Sequence, residues 1–102
     1  MEGSVTNIIL TVEYHEKGRT DYENLHTDVI VQFDNGDKYF ASFMSYKKLE
    51  EMIDELRKRG EKTGLYRVLQ TVLVKDFNNG NLLPVIEAML TEGDFQLVFK
   101  KM

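Results

Sequence analysis

The segment Asp34-Asn35-Gly36-Asp37 constrains the fold of this chain more than any other part of the sequence. Asn-Gly between two stretches of alternating apolar residues predicts a β-hairpin. A two-residue turn would pair Val31 with Phe40, whereas a three-residue loop with Gly36 in the left-handed region would pair Val31 with Tyr39. A shift of one residue exchanges the two faces of a strand. The hydrophobic pattern favours the three-residue loop, because that register keeps the apolar residues of both strands on one face.

Hydrophobic periodicity predicts the other elements. The predicted strands are Thr6–Tyr14, Thr27–Phe33, Lys38–Met44 and Leu65–Lys75, and the predicted helices are Tyr46–Arg59 and Leu82–Thr91. Leu65–Lys75 is apolar on both faces, which indicates a central strand that is covered on both sides. Asp94–Met102 fits either a strand or a helical stripe, and its alternation of Phe95, Leu97 and Phe99 favours the strand.

Two polar residues are predicted to cap the helices. Ser45 precedes the first helix, whose apolar stripe of Tyr46, Leu49, Ile53 and Leu56 should be buried. Asn81 precedes the second helix. The predicted fold is therefore α+β, a mainly antiparallel sheet of four to five strands with two helices on one face, in the order β-β-β-α-β-α-(β). One such domain covers residues 1–102.

Composition excludes several function classes. The chain has no cysteine, which removes disulfides and thiolate chemistry, and its formal net charge of −4 disfavours nucleic acid as a partner. No phosphate loop, dinucleotide fingerprint or calcium loop is present, so we expect no cofactor. The acidic start at Met1-Glu2-Gly3-Ser4 and the short apolar runs predict a cytoplasmic protein without a signal peptide or a membrane span.

Two histidines are the candidates for a metal site. His15 and His26 flank the first long loop, which also carries acidic residues. Two imidazoles and a carboxylate can hold Zn²⁺ or Fe²⁺. Their spacing matches no known metal motif, and the sequence favours solvated side chains, so we expect no metal.

No catalytic residue is predicted. Ser4, Ser42 and Ser45 lie outside any nucleophile-elbow context, and the dense aromatics Tyr39, Phe40, Phe43 and Tyr46 are more typical of core packing than of base stacking. The candidates for partner binding are the acidic residues on the exposed face of the first helix, namely Glu50, Glu51, Asp54 and Glu55.

Two stretches of the chain resemble a scattered group of small uncharacterised bacterial and phage proteins. They are the segment from Lys38 to Gly64, which begins Lys-Tyr-Phe-Ala-Ser-Phe-Met-Ser-Tyr, and the tail Glu92-Gly-Asp-Phe-Gln-Leu-Val-Phe-Lys-Lys. The resemblance covers about half of the chain. It implies a bacterial or phage origin and carries no function with it.

Three hypotheses about function follow from these observations. The first is a small acidic module that binds another protein, basic in charge, and acts as an immunity-type or phage anti-defence inhibitor by contact. The second is a homo-oligomer, such as a homodimer, with a structural or small-ligand role that uses an exposed sheet edge. The third is a metal-dependent enzyme that uses His15 and His26. The small size, the acidic charge and the lack of catalytic motifs favour the first.

Overall fold

Strands and helices follow the predicted order, with one additional short helix before the last strand, which confirms the α+β class. The computed structural model describes residues 4–13, 20–58, 71–78 and 80–102. Its elements are β1 (Val5–Leu10), β2 (His26–Phe33), β3 (Lys38–Ser45), α1 (Tyr46–Lys58), β4 (Thr71–Val74), α2 (Leu82–Glu92), α3 (Phe95–Val98) and β5 (Lys100–Lys101). The predicted residues Tyr14, Arg59 and 65–70 lie outside the described residues.

The strands form one mixed sheet in the order β1-β2-β3-β4. β1, β2 and β3 pair antiparallel, β4 runs parallel to the second half of β3, and β5 pairs antiparallel with Tyr39 and Phe40. The prediction of a central fourth strand was wrong, because among the described residues β4 is the last strand of the sheet order and its Leu73 is exposed. The β-branched residues of this segment indicate a strand but carry no information about which strands lie beside it in the sheet.

The hairpin between β2 and β3 has the predicted three-residue loop. Val31 pairs with Tyr39, as that register requires. The Phe33 amide donates to the Asp37 carbonyl at 2.9 Å, and the Gly36 amide donates to the Phe33 carbonyl at 3.0 Å. Gly36 has φ +89°, a backbone conformation that side chains with a Cβ rarely adopt.

The hydrophobic core lies between one face of the sheet and the helices α2 and α3. Phe95 of α3 is at its centre, stacked on Phe99 at 4.1 Å between ring centroids and edge-on to Phe33 and Tyr39 at 5.6 Å. The buried members of this core are Leu10, Val29, Val31, Phe33, Ala41, Phe43, Val74, Phe77, Leu82, Ile86, Phe95 and Phe99. Aromatic contacts of this kind therefore tie the chain's C-terminal segment to the hairpin.

Helix α1 is positioned differently from α2. None of its residues is buried, and Tyr46, which we predicted to be in the core, is 52% exposed. Leu49, Ile53 and Leu56 are half-buried. Tyr46 is the first residue of the helix after β3 and is not part of the core cluster of the described residues. The apolar stripe therefore predicted the helix but overestimated its burial.

The two predicted caps behave differently. The Ser45 hydroxyl accepts from the Lys48 amide at 3.3 Å, as predicted for an N-cap, and also from the Leu25 amide at 3.0 Å. Asn81 occupies the N-cap position of α2 but makes no cap hydrogen bond, because its side chain donates to Asp76 instead. The prediction for Asn81 was therefore right in position and wrong in contact.

The two ends of the described chain also differ from the predicted strands. The strand begins at Val5 rather than at Thr6, and a register shift between Val5 and Asn7 places Val5 opposite Phe33, where it packs against the core. At the other end, Phe95–Val98 is a short helix and only Lys100–Lys101 is a strand. The ambiguity of this last segment is resolved as a helix followed by a strand.

Candidate functional site

A groove of about 670 Å³ lies between β1 and the N-terminal end of α2. We call it the β1 groove. Its apolar residues are Val5, Ile8 and Leu10 from the sheet and Phe77, Leu82 and Leu83 from the turn and helix opposite, and its polar residues include Glu13, Tyr22 and Asn78. An apolar groove of this size with a few polar groups is typical of a binding site.

The β1 groove follows the edge of the sheet. Asn7 and Ile8, two consecutive residues in the regular part of β1, both line it. Successive side chains of a strand point to opposite faces. A space that meets both residues therefore lies alongside the strand and reaches its backbone.

The backbone of β1 has one open side in the described structure. Thr11 donates from its amide to the Asp28 carbonyl at 3.0 Å, and the pairs Ile9–Ile30 and Asn7–Gln32 follow at intervals of two residues. In an antiparallel ladder only every second pair exchanges hydrogen bonds. The amides and carbonyls of Ile8 and Leu10 therefore face away from β2, and no described residue hydrogen-bonds to them.

Tyr22 fixes one end of the β1 groove. Its hydroxyl donates to Oε1 of Glu13 at 3.0 Å, and its carbonyl accepts from the Phe77 amide at 2.7 Å. The hydrogen bond to the Glu13 carboxylate, together with partial burial, raises the pKa of Tyr22 above its usual 10.0. Tyr22 therefore stays a donor at neutral pH and holds Glu13, the only acidic side chain among the described residues that line the groove, in place.

The turn opposite β1 is held by Asp76. Its Oδ1 accepts from the Asn81 side chain and, at 2.9 Å, from the Asn78 amide. These two hydrogen bonds, the one from Asn81 first, lower the pKa of Asp76 below its usual 3.8. The charged carboxylate therefore stabilises the turn that presents Phe77 to the groove.

The predicted partner-binding residues lie elsewhere. Glu50, Glu51, Asp54 and Glu55 are all exposed on α1, and none of them lines the β1 groove. Asp54 lies 3.9 Å from Arg57, an ion pair between exposed side chains. Such pairs contribute little to stability. The acidic surface of α1 therefore stays a candidate for steering a partner.

The candidate metal site is only partly described. His15 lies outside the described residues. His26 is exposed, and its Nε2 lies 2.8 Å from Oγ of Ser42 on the sheet face away from the core. Within residues 4–13, 20–58, 71–78 and 80–102, no three His, Cys, Asp or Glu side chains are placed to hold a metal ion.

Sequence reasoning missed the β1 groove, although one feature pointed toward it. Val5–Leu10 contains no charged residue. Edge strands usually carry charges, lysine above all, that prevent pairing with other chains. The predicted strand Thr6–Tyr14 includes most of this run, but only the sheet order shows that the strand is at an edge.

Comparison with known proteins gives no further assignment. No family model, curated protein or solved structure matches the chain. The resemblance to small bacterial and phage proteins therefore stays a prediction. Among the helices of the described residues, none has the length and apolar character needed to cross a membrane.

Proposed function

We propose that this protein is a binding module that acts by contact with another protein, and that the β1 groove is its contact surface. The observation that carries the proposal is the combination of an apolar groove with an open strand edge. Apolar lining residues supply affinity for side chains. The outward-facing backbone groups of Ile8 and Leu10 supply hydrogen bonds to a polypeptide.

A protein partner suits this site better than a small ligand does. Small-molecule sites enclose most of the ligand surface. The β1 groove instead lies along a strand edge and is bordered on the other side by Leu83, which is 39% exposed. An elongated, accessible surface of this kind is suited to a segment of another chain.

The formal net charge of −4 favours a basic partner. Complementary net charge accelerates the encounter of two proteins. The exposed acids of α1, Glu50, Glu51, Asp54 and Glu55, would contribute to this attraction without forming the contact itself. An inhibitor that blocks a basic enzyme by contact is the form of this function that the sequence favours.

A displayed library of random twelve-residue peptides tests the proposal. The immobilised protein is used to select binders, and the enriched peptides are then measured against two leucine variants. Leu83→Asp places a charge in the β1 groove. Leu97→Asp places the same charge at a residue that is 74% exposed and outside the groove lining, and it serves as the matched control.

We expect the enriched peptides to bind the wild type and Leu97→Asp equally and to lose at least about tenfold in affinity for Leu83→Asp, since a charge in an apolar contact is costly. Circular dichroism should show that both variants stay folded, because both leucines are partly or largely exposed. Peptides that bind Leu83→Asp as well as the wild type would remove the groove as the contact surface. A selection that enriches nothing would remove the proposed function.

A further inference from the structure

We propose that the partner enters the β1 groove as an extended segment that pairs with β1 as an additional strand and places a lysine or arginine against Glu13. This inference rests on the proposed function and adds the mode of binding and the chemistry of the segment. Strand addition to a sheet edge is a known means of peptide recognition, in which the main chain gives affinity and side-chain pockets give specificity.

The pairing capacity of β1 is the first support. The amides and carbonyls of Ile8 and Leu10 face the open edge, so this part of β1 offers two donors and two acceptors to a new strand. The register shift between Val5 and Asn7 interrupts the ladder on the N-terminal side. The regular part of the edge, Asn7 to Leu10, is therefore where the added strand would pair.

The absence of protective charges on β1 is the second support. Its six residues, Val5 to Leu10, carry none, whereas β5 consists of two exposed lysines. Charges and short length normally protect a sheet edge from pairing with other chains. Within the described chain β4 is uncharged but only four residues long and β5 is both short and charged, whereas β1 has neither protection, as expected if β1 is used for pairing.

The β1 groove provides room for side chains of the added strand. Alternate residues of that strand would point to the core face of the sheet. There they would lie beside Ile8 and Leu10 and against Leu82 and Leu83 of α2. The groove therefore selects apolar residues at every second position of the bound segment.

Glu13 determines the charge of the segment. It lines the groove just beyond Leu10, is half-buried, and forms no ion pair with a described cation. Tyr22 donates one hydrogen bond to it, while a carboxylate can accept about four. Among the described residues only Tyr22 donates to this carboxylate, and a partly buried carboxylate binds a lysine or arginine side chain more strongly than an exposed one does.

A second copy of this chain is the competing occupant. Two open β1 edges can pair in principle. Each copy, however, carries a formal net charge of −4, so two copies repel one another, whereas a basic segment is attracted to the same surface. The charge of the molecule therefore favours a basic peptide segment over self-association.

The experiment uses the enriched twelve-residue peptides, synthesised with a methyl group on one backbone nitrogen at a time. Strand addition predicts that methylation at alternate positions lowers affinity by about tenfold, since one hydrogen bond is lost and the methyl group clashes with the edge, while methylation at the intervening positions changes it by less than about twofold. Isothermal titration calorimetry measures each affinity.

The charge contact is tested with Glu13→Gln, which keeps a carbonyl oxygen to accept from the Tyr22 hydroxyl. We expect about three- to tenfold weaker binding of lysine- or arginine-containing peptides and a shallower dependence on salt. Replacing the basic residue of the peptide with norleucine should give the same loss in the wild type and no further loss in Glu13→Gln.

Each outcome separates the inference from the proposed function. Peptides that lose affinity for Leu83→Asp but tolerate backbone methylation at every position would overturn strand addition and leave the proposed function intact. Peptides without basic residues, or indifferent to Glu13→Gln, would overturn the charge contact. If no peptide is enriched and sedimentation shows that the wild type is a dimer and Leu83→Asp a monomer, the edge binds a second copy. This result would overturn both the inference and the proposed function.

Discussion

The two edges of the sheet differ in length, charge and covering. At one edge β1 is six residues long, uncharged and bordered by a groove. On the other side β3 is covered by the short strands β4 and β5, of four and two residues, and Lys101 of β5 lies 3.5 Å from Asp37. Short strands hinder further pairing, and so do charges, which β5 carries and β4 does not. The comparison indicates that short length limits pairing at one edge, with charge added at β5, whereas β1 has neither of these protections.

Amide hydrogen exchange gives the largest expected contrast. Asn7 and Ile9 donate to β2, so their amides should approach the protection of global unfolding, while the outward amides of Ile8 and Leu10 should show almost none. Exchange measured residue by residue by NMR checks this. Equal protection of all four amides would mean that the β1 edge is covered.

The edge formed by β4 and β5 should depend on the aromatic core. Phe95 is 1% exposed and contacts Phe33, Tyr39 and Phe99, so Phe95→Ala should cost about 3–5 kcal/mol of unfolding free energy. Leu97→Ala, on the same short helix but exposed, should change it by less than about 0.5 kcal/mol. Urea denaturation of both variants measures the difference. A small loss of unfolding free energy for Phe95→Ala would mean that the edge formed by β4 and β5 does not depend on the aromatic core.

The hairpin that joins β2 to β3 should be sensitive at one residue. Gly36 has φ +89° and open space around its missing Cβ, so the cost of Gly36→Val comes from backbone strain and should be about 1–3 kcal/mol. Gly36→Asn should cost less, because asparagine tolerates the left-handed region better. Thermal denaturation of the pair checks the order, and equal stabilities would contradict the three-residue loop.

Acid should destabilise the turn opposite β1, because that turn depends on the charged carboxylate of Asp76. Because the folded-state pKa of Asp76 is lowered below 3.8, its carboxylate stabilises the fold above that pH, and this contribution is lost as pH falls through the folded-state pKa. The wild type should therefore be more stable than Asp76→Asn at neutral pH, and the gap should close in acid. Denaturant midpoints over a pH series test this, and a gap independent of pH would contradict it.

The smallest effect is expected on α1, outside both edges. Glu51→Lys/Glu55→Lys should leave folding nearly intact and slow the association of a basic peptide by about two- to threefold at low salt, with no difference at high salt. The effect is small because four bases of α1, Lys47, Lys48, Arg57 and Lys58, offset its four acids. Stopped-flow rates at two ionic strengths measure it. Equal association rates of the wild type and the variant at both ionic strengths would show that the acids of α1 do not steer the partner.

The sequence predicted local features well and long-range placement poorly. The hairpin loop at Gly36 and the cap at Ser45 depend on neighbouring residues, and both are confirmed. The edge position of β4, the exposure of Tyr46 and the contact of Asn81 depend on residues distant in sequence or on competing partners, and these predictions were wrong. The β1 groove combines three separate segments, so no single pattern could predict it.

The central position of β3 has a consequence for folding kinetics. β3 pairs with β2 across a three-residue loop, but Ser42 meets Thr71, 29 residues later, and Phe40 meets Lys100, 60 residues later. Contacts between residues distant in sequence form slowly, because loop closure costs entropy before the contact is made. The β2–β3 hairpin therefore forms early, and both strands on its far side must wait for the chain to return. Until they arrive, the folding protein exposes β3 to other chains.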